Sequence, residues 1–356
     1  MTWILGRYLS RLLLARLLLI LFALVSMATL LDLLANSDEI IKPHGDVAAD
    51  LGRYVLLRLP GIVSQVVPIS LLIAALVTLA GLSRSSELTA IMAAGISPFR
   101  QIAALLPAAL LVAGGQFLIE DQAVPSATAE LRDWGVGDYG DFASKDDSKM
   151  TWFRQADNYV RVRRSQAEKE LIRDVTIFHR DPGGRLIERI EADHALYKDG
   201  VWILQDVTRT GTDDSVPTRM ATLEWPEAIE ISILHALTLH PKELSYAELR
   251  QLADRRGFGN RPLYLYEMWM HKKFARSVAT LLMIVLAMAA VQRLLPRRQP
   301  GWMLAAGIAG GFVYWISDEL IITVGEAGLL PAVVSAWAAP IVLAALSVTV
   351  ILRGEG

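Results

Sequence analysis

Two aspartates, Asp32 and Asp318, are the residues of this sequence whose type and setting come nearest to a catalytic pair. Each lies near one end of a long apolar segment, and two carboxyl groups that share a proton can hydrolyse a peptide bond. A carboxylate at the end of a membrane span also reaches interfacial water, so neither aspartate needs a catalytic role to be tolerated. An intramembrane aspartyl protease is therefore a minor alternative, and we predict no catalytic residue.

The sequence lacks the common motifs for binding nucleotides and metals. No Gly-Lys dipeptide occurs, which excludes a phosphate-binding loop of the Walker type, and neither H-E-x-x-H nor G-x-S-x-G is present. The absence of cysteine excludes disulfides, thiolate metal sites and a cysteine nucleophile. His235 and His240 have the only spacing that suggests metal ligands, and it fits no familiar site. We expect no metal and no cofactor in this chain.

Apolar and charged residues are distributed unevenly along the chain. Of its 356 residues 53% are hydrophobic, and most of the charged side chains fall between residues 121 and 270. This pattern indicates membrane-embedded segments on either side of one polar domain. The formal net charge of the chain is −2, whereas nucleic-acid-binding domains are usually basic. We therefore expect no nucleic-acid partner.

Six segments meet or approach the length of about 20 apolar residues that a spanning helix needs. They are residues 17–35, 59–82, 101–119, 277–292, 299–317 and 327–352. The fourth is short, and we expect Arg276 and Arg293 at its ends to snorkel toward the interface and extend it.

The distribution of arginine in the short connections predicts the orientation. Arg7, Arg11 and Arg16 precede the first span, and Arg84 and Arg100 lie between the second and third. These connections belong on the cytoplasmic side, which places both termini in the cytoplasm and the polar domain outside it. The predicted organisation is residues 1–120 with three spans, residues 121–270 as the exported domain and residues 271–356 with three more spans.

The exported domain contains short β-like runs separated by turn residues, which predicts a sandwich or an open roll. The predicted strands are residues 150–155, 159–164, 175–179, 186–192, 201–207, 219–225 and 227–234. Turns are expected at 181–184 and 198–200, where the residue types suit tight hairpins. Alternation in Tyr159-Val160-Arg161-Val162-Arg163 predicts apolar side chains on one face of the sheet and charged ones on the other. This pattern leaves open whether the apolar faces close into an ordinary core or leave a slot for alkyl chains.

A capping box of Ser245 and Glu248 predicts a short helix after the strands, with Gly257 at its C-terminal cap. We expect this helix to lead the chain back to the membrane.

The connection between the second and third spans has the features of a short helix near residues 84–95. Ser83 or Ser85 is predicted to cap its start, and Glu87 lies in the first turn, where the helix dipole favours an anion. Gly95 is predicted to take the left-handed C-terminal cap. Ser97 followed by Pro98 then opens the next helix.

Leu88, Ile91 and Met92 form a small apolar stripe on this short helix. Such a stripe is consistent with a helix that lies on the bilayer surface. It is equally consistent with a knob that inserts into a groove of a cytosolic partner and offers Glu87 to a basic residue there.

The chain resembles the LptF/LptG family of lipopolysaccharide export permeases, and its LptG members more than its LptF members. The likeness runs from end to end and is carried by residues in both halves of the chain. They are Ser86-Glu87-Leu88, Ala94-Gly95-Ile96-Ser97, the stretch from Val124-Pro125 to Arg132, Tyr266-Glu267, His271-Lys272-Lys273-Phe274-Ala275, Gly311-Phe312-Val313-Tyr314 and Asp318.

This resemblance implies an α-helical inner-membrane protein of a Gram-negative bacterium, with six transmembrane helices and an all-β, jellyroll-like periplasmic domain. It also implies a permease half without enzymatic activity that pairs with an LptF-like subunit and docks on a dimer of an LptB-type ATPase, which binds ATP and magnesium. An LptC-like protein would continue the periplasmic bridge, and lipopolysaccharide would be the cargo. An ABC-type permease for another amphiphile, such as a lipoprotein or phospholipid, is the alternative.

The same resemblance assigns two groups of site residues. Contact with the ATPase falls to Glu87, Leu88, Ile91, Met92 and Gly95. Contact with the cargo falls to Arg53, Arg58, Arg132, Phe312 and Trp315. One departure matters: just after Pro60, where a well-known member has a lysine that faces the phosphates of the lipid, this chain has Gly61. Either Arg53 or Arg58 meets that charge, or the lipid carries fewer phosphates.

Overall fold

The computed structural model describes residues 2–41, 47–135, 150–155, 158–164, 171–181, 183–198, 201–212, 216–225, 239–254, 261–294 and 300–354. The chain forms two compact units. A helical unit comprises Met1–Ala127 and Met268–Gly356, and a β-rich unit comprises Thr128–Glu267.

Within the described residues, six helices are long and apolar enough to cross a membrane, as predicted. The candidate spans are Ile4–Ser37, Val47–Arg84, Pro98–Arg132, Leu263–Val291, Ala305–Glu326 and Ala332–Arg353. Each overlaps its predicted segment. The fourth span is longer than predicted, because the helix begins at Leu263 and carries polar residues well before its apolar part.

The helices are named here in chain order. They are α1 (Thr2–Ile41), α2 (Val47–Arg84), α3 (Glu87–Ala93), α4 (Pro98–Leu118), α5 (Val124–Trp134), α6 (Tyr246–Asp254), α7 (Leu263–Leu294), α8 (Pro300–Glu326) and α9 (Ala332–Gly354). A π-helical turn, Ile119–Ala123, joins α4 to α5 without a break.

Leucine and alanine side chains from five of the long helices form the core of the helical unit. Leu13 of α1, Leu71 and Leu76 of α2, Leu105 of α4 and Ala287 of α7 are completely buried. Small alanines between the leucines let the helices approach closely, which favours association where water does not drive it.

Helix α8 packs on α2 through glycine. A Cβ atom added at Gly307 would lie 2.5 Å from Cδ1 of Leu76, and one added at Gly311 would overlap Leu72. These two glycines have the small-xxx-small spacing of close helix contacts within membranes. Because neither position has room for a Cβ atom, only glycine allows α8 to lie this close to α2.

The described part of the β-rich unit forms an antiparallel sheet of six strands that follow one another in chain order. The strands are β1 (Met150–Gln155), β2 (Asn158–Arg164), β3 (Leu171–Arg180), β4 (Leu186–Lys198), β5 (Val201–Gly211) and β6 (Thr218–Trp225). The predicted all-β domain is confirmed, and among the described residues its topology is a meander. The seventh predicted strand and part of each predicted turn lie outside the described residues.

Alternation along the strands gives the sheet one buried face, as the sequence predicted. Val160 and Val162 of β2 are completely buried, whereas Tyr159, which precedes Val160, is 39% exposed. On the exposed face the rings of Trp152 and Phe178 stack with centroids 5.7 Å apart, and the Arg161 guanidinium lies over Trp152.

The predicted capping box at the start of α6 is confirmed. Ser245 N donates to Glu248 Oε2 at 2.8 Å, and Glu248 N donates to Ser245 Oγ at 3.3 Å. Leu249 and Leu252 of this helix are buried. Gly257 lies outside the described residues.

Candidate functional site

Helix α3 is a short elbow between α2 and α4, and special backbone conformations fix both of its ends. Ser86 precedes the helix with φ of 61°, and Gly95 follows it with φ of 78°. Gly95 and the Ser97-Pro98 start of α4 confirm the sequence prediction. The predicted cap at Ser83 or Ser85 is wrong: the N-cap position is Ser86, which makes no side-chain capping bond. Ser85 instead bonds the side chain of Glu87.

The carboxylate of Glu87 is held by two hydroxyl groups. Tyr8 Oη of α1 donates to Oε2 at 3.0 Å, and Ser85 Oγ donates to Oε1 at 2.9 Å. Each carboxylate oxygen keeps a further lone pair for a cationic donor. The elbow therefore presents an oriented, partly exposed anion.

The apolar residues of the elbow are divided between the inside and the outside. Leu88 is only 5% exposed and packs into the core of its own chain, whereas Met92 is 47% exposed and Ile91 is half-buried. Leu88 thus anchors the elbow, and Met92 provides its apolar surface.

A second charged cluster, formed by Asp32 of α1 with Arg58 and Tyr54 of α2, connects these two helices. Nε and Nη2 of Arg58 each donate a hydrogen bond to Asp32 Oδ1, both at 3.1 Å. Tyr54 Oη donates to the other carboxylate oxygen, Asp32 Oδ2, at 2.9 Å. Arg58, predicted to contact cargo, is therefore bound to an internal carboxylate. Because α1 rises by about 1.5 Å per residue, Tyr8 and Asp32 are separated by roughly 36 Å. The elbow and the Arg58 pair consequently lie at opposite ends of α1, about one bilayer thickness apart.

A network of buried and half-buried charges joins the π-helical turn to α7. Arg276 Nη1 lies 2.6 Å from Glu120 Oε1, and Lys273 Nζ lies 3.1 Å from Asp121 Oδ1. Lys273 Nζ also donates to the backbone carbonyl of Glu120 at 3.1 Å. The guanidinium of Arg276 binds Glu120, and the expectation that Arg276 snorkels toward the interface stays a prediction. The side chain of Arg293 is outside the described residues.

Neutral polar groups extend this network to α2. Gln116 Nε2 donates to the carbonyl of Ser64 at 2.9 Å, Thr280 Oγ1 donates to Gln116 Oε1 at 2.5 Å, and Ser64 Oγ donates to Glu120 Oε2 at 3.4 Å. Buried polar groups inside a membrane are stable only when they are paired in this way.

A separate ion pair connects α7 to α8. Lys272 Nζ lies 2.5 Å from Asp318 Oδ1, and their side chains are 1% and 11% exposed. Nearer the end of α8, Trp269 Nε1 donates to Glu326 Oε1 at 3.2 Å.

These contacts do not support the aspartyl protease. Asp32 is bound by Arg58 and Tyr54, and Asp318 is bound by Lys272. In the described part of the chain neither carboxylate is hydrogen-bonded to the other, so the shared proton that such a protease requires is absent.

The sequence singled out Lys272 and Lys273 only through the family resemblance, and Asp318 also as one of two candidate catalytic aspartates; it did not predict the network. It treated Glu120 as the end of a span. The missed signal is helical spacing: Gln116 and Glu120 are four residues apart, as are Lys272 and Arg276, so each pair lies on one helix face.

Arg132, another predicted cargo contact, takes part in a cluster of the β-rich unit. Its Nη2 lies 2.5 Å from Glu243 Oε2, and Glu243 also accepts from the backbone N–H of His240. His240 Nδ1 in turn accepts from Lys242 N at 3.3 Å. Burial, and then the positive charges of Arg261, Lys242 and Arg132, lower the pKa of His240 to about 4.

The remaining predicted cargo residues are on the surface. Phe312 and Trp315 of α8 are 49% and 45% exposed, so they present large apolar area on the helix that Asp318 anchors. Arg53 is exposed on α2. Among the described residues Asp193, His194 and Asp206 place possible ligand atoms within 4.8 Å, but both aspartates are exposed, and such groups commonly occur without an ion.

Comparison with known proteins agrees with the fold. The family described as "Lipopolysaccharide export system permease LptF/LptG" matches residues 7–353. A lipopolysaccharide export system permease protein LptG from Haemophilus influenzae is 22% identical over 324 residues, and one from Escherichia coli K12 is 21% identical over 322 residues; both alignments cover 89% of each chain. The resemblance inferred from the sequence is confirmed, and the chain belongs to the lipopolysaccharide export system permease LptF/LptG family.

Proposed function

We propose that this chain is one permease half of an inner-membrane ABC transporter that extracts lipopolysaccharide and passes it to a periplasmic bridge. A separate LptB-type ATPase dimer hydrolyses ATP with magnesium, an LptF-like subunit forms the other permease half, and an LptC-like protein receives the lipid. The chain itself contributes no catalytic residue.

The elbow is the observation on which this proposal depends. Its carboxylate, Glu87, is oriented by Tyr8 and Ser85, and Met92 beside it is exposed. An oriented anion next to an apolar side chain suits a groove with a basic residue on a cytosolic partner. Leu88 packs in the core, so a force on the elbow reaches α2 and α4 through packed side chains rather than through a loose loop.

Side chains of α2 and α8 suit an anionic, lipidic cargo. Arg53 and Arg58 provide cations near the end of α2, and Phe312 and Trp315 provide apolar surface on α8. Guanidinium groups bind phosphate in a bidentate manner, and exposed aromatic side chains accept alkyl chains. We assign these residues to the two parts of a phosphorylated glycolipid.

The substitution Glu87→Ala tests the proposal in vesicles that contain the whole reconstituted transporter. Lipopolysaccharide release per ATP hydrolysed should fall at least about tenfold, a loss of about 1.4 kcal/mol in coupling, because the anion that contacts the partner is gone. Thr89→Ala, an exposed change on the same helix, is the matched control and should leave the ratio unchanged. Release at the level of the unaltered protein in the Glu87 variant would contradict the proposal.

The nature of the cargo is tested separately. Photo-crosslinkers placed at Val160 or Val162 should capture lipopolysaccharide during ATP turnover. Both side chains are completely buried, so capture there requires that this face of the sheet opens as the lipid enters. Capture of a phospholipid or a lipoprotein instead would favour a permease for another amphiphile. Copurification of the untagged partners in detergent, with recovery of a cytosolic ATPase and a second six-span chain, tests the proposed assembly.

A further inference from the structure

The pair formed by Arg58 and Asp32 leaves a cargo-binding cation occupied by an internal anion. Two nitrogens of Arg58 contact Asp32, and Nε lies 3.1 Å from Oδ1 and 3.3 Å from Oδ2. A carboxylate in this position fills the two-pronged site on the guanidinium that a phosphate oxygen pair would use. A phosphate can therefore reach this side of Arg58 only if Asp32 moves.

We propose that Asp32 competes with phosphate for Arg58 and so determines how strongly the chain prefers phosphorylated lipid. This inference rests on the proposed function, because it assumes that Arg58 faces the cargo. Asp32 is thus a positioning residue that acts through Arg58.

The surroundings of the pair make this exchange feasible. The side chains of Arg58 and Asp32 are 26% and 17% exposed, so the pair is open enough for a headgroup oxygen to approach. Tyr54 is buried and donates to Asp32 Oδ2, not to Oδ1, at 2.9 Å. When a phosphate takes Arg58, Asp32 keeps the bond from Tyr54 and gains water, so no carboxylate is left without a donor.

The packing of α1 on α2 has apolar contacts in addition to this ion pair. Leu13 and Leu17 of α1 and Leu71 and Leu72 of α2 belong to one buried cluster farther along the helices. The Asp32 pair lies beyond that cluster, near the end of both helices. Its charge is therefore available for a role other than holding the two helices together.

The substitution Asp32→Asn separates the two roles. Asparagine keeps the size of the side chain and an oxygen for Tyr54 but releases the charge on Arg58. Since the apparent affinity of a site scales with the fraction that is competent to bind, the variant should bind lipopolysaccharide with intact phosphates roughly three- to tenfold more tightly. Affinity for the same lipid after phosphatase treatment should change less than about twofold.

The measurement uses the assembled transporter in nanodiscs and compares four proteins: unaltered, Asp32→Asn, Arg58→Gln and the double variant. If Asp32 acts through Arg58, the gain from Asp32→Asn disappears in the Arg58→Gln background. Asp254→Asn, an exposed change in the β-rich unit, controls for the removal of one negative charge and should have no effect.

Three results would overturn the inference. The first is an equal change in the affinity for both lipids in Asp32→Asn. The second is a gain in affinity from Asp32→Asn that persists in the Arg58→Gln background. The third is weaker binding of both lipids in Asp32→Asn, which would mean that the ion pair only holds the structure together. If any of these three results is found while the transporter still releases lipopolysaccharide on ATP hydrolysis, the inference fails and the proposed export function stands. If it binds neither lipid and releases none on ATP hydrolysis, the proposed function fails.

Discussion

Replacing Asp318 with asparagine tests whether the ion pair between α7 and α8 holds α8 in place. The Lys272 ammonium is 1% exposed and lies 2.5 Å from Asp318, so the substitution leaves a buried cation without its anion. Removing one partner of a buried pair costs about 3–5 kcal/mol. Because asparagine still offers a neutral oxygen to Lys272, we expect a loss near the lower end, about 3 kcal/mol in the free energy of unfolding.

The loss is measurable by titrating the purified chain in maltoside micelles with dodecyl sulfate and following tryptophan fluorescence. Glu319→Gln, a change at the next and exposed residue of α8, is the matched control and should cost less than about 0.5 kcal/mol.

A second substitution distinguishes the lost charge pair from a general packing defect. Adding Lys272→Met to Asp318→Asn removes the unpaired ammonium and should recover most of the stability, since an apolar side chain of similar length replaces it. Unchanged stability in Asp318→Asn, or further destabilisation in the double variant, would refute the reasoning.

Three further outcomes follow from single residues. Gly311→Ala should destabilise the helical unit by about 1–3 kcal/mol in the same titration, because the new methyl group overlaps Leu72. Ser86→Gly should be neutral or stabilising by up to about 1 kcal/mol, since glycine adopts φ of 61° without strain. His240, with its pKa lowered to about 4, binds its proton more readily when unfolded; its contribution to stability is complete above about pH 6.5 and is lost as the pH falls toward 4. Protonation would also remove the acceptor for Lys242 N, so unfolding followed across this pH range should show a dependence that His240→Asn reduces.

Features encoded by neighbouring residues were predictable from the sequence. Runs of apolar residues predicted the six long helices, because length and hydropathy alone decide whether a segment can span a bilayer. Alternation predicted the buried face at Val160 and Val162, and turn chemistry predicted the left-handed Gly95 and the start of α4 at Pro98. Each of these depends on a few consecutive residues, for which backbone sterics and side-chain periodicity suffice.

The partners of the charged residues were decided only by the tertiary structure. Glu120 and Arg276 are 156 positions apart, and Lys272 and Asp318 are 46 apart. Nothing in the local sequence around Arg58 shows that Asp32 occupies it. The sequence gives the charge of each residue but not the partner that it contacts. That partner depends on how the helices pack and on the need to pair every charge that is withdrawn from water.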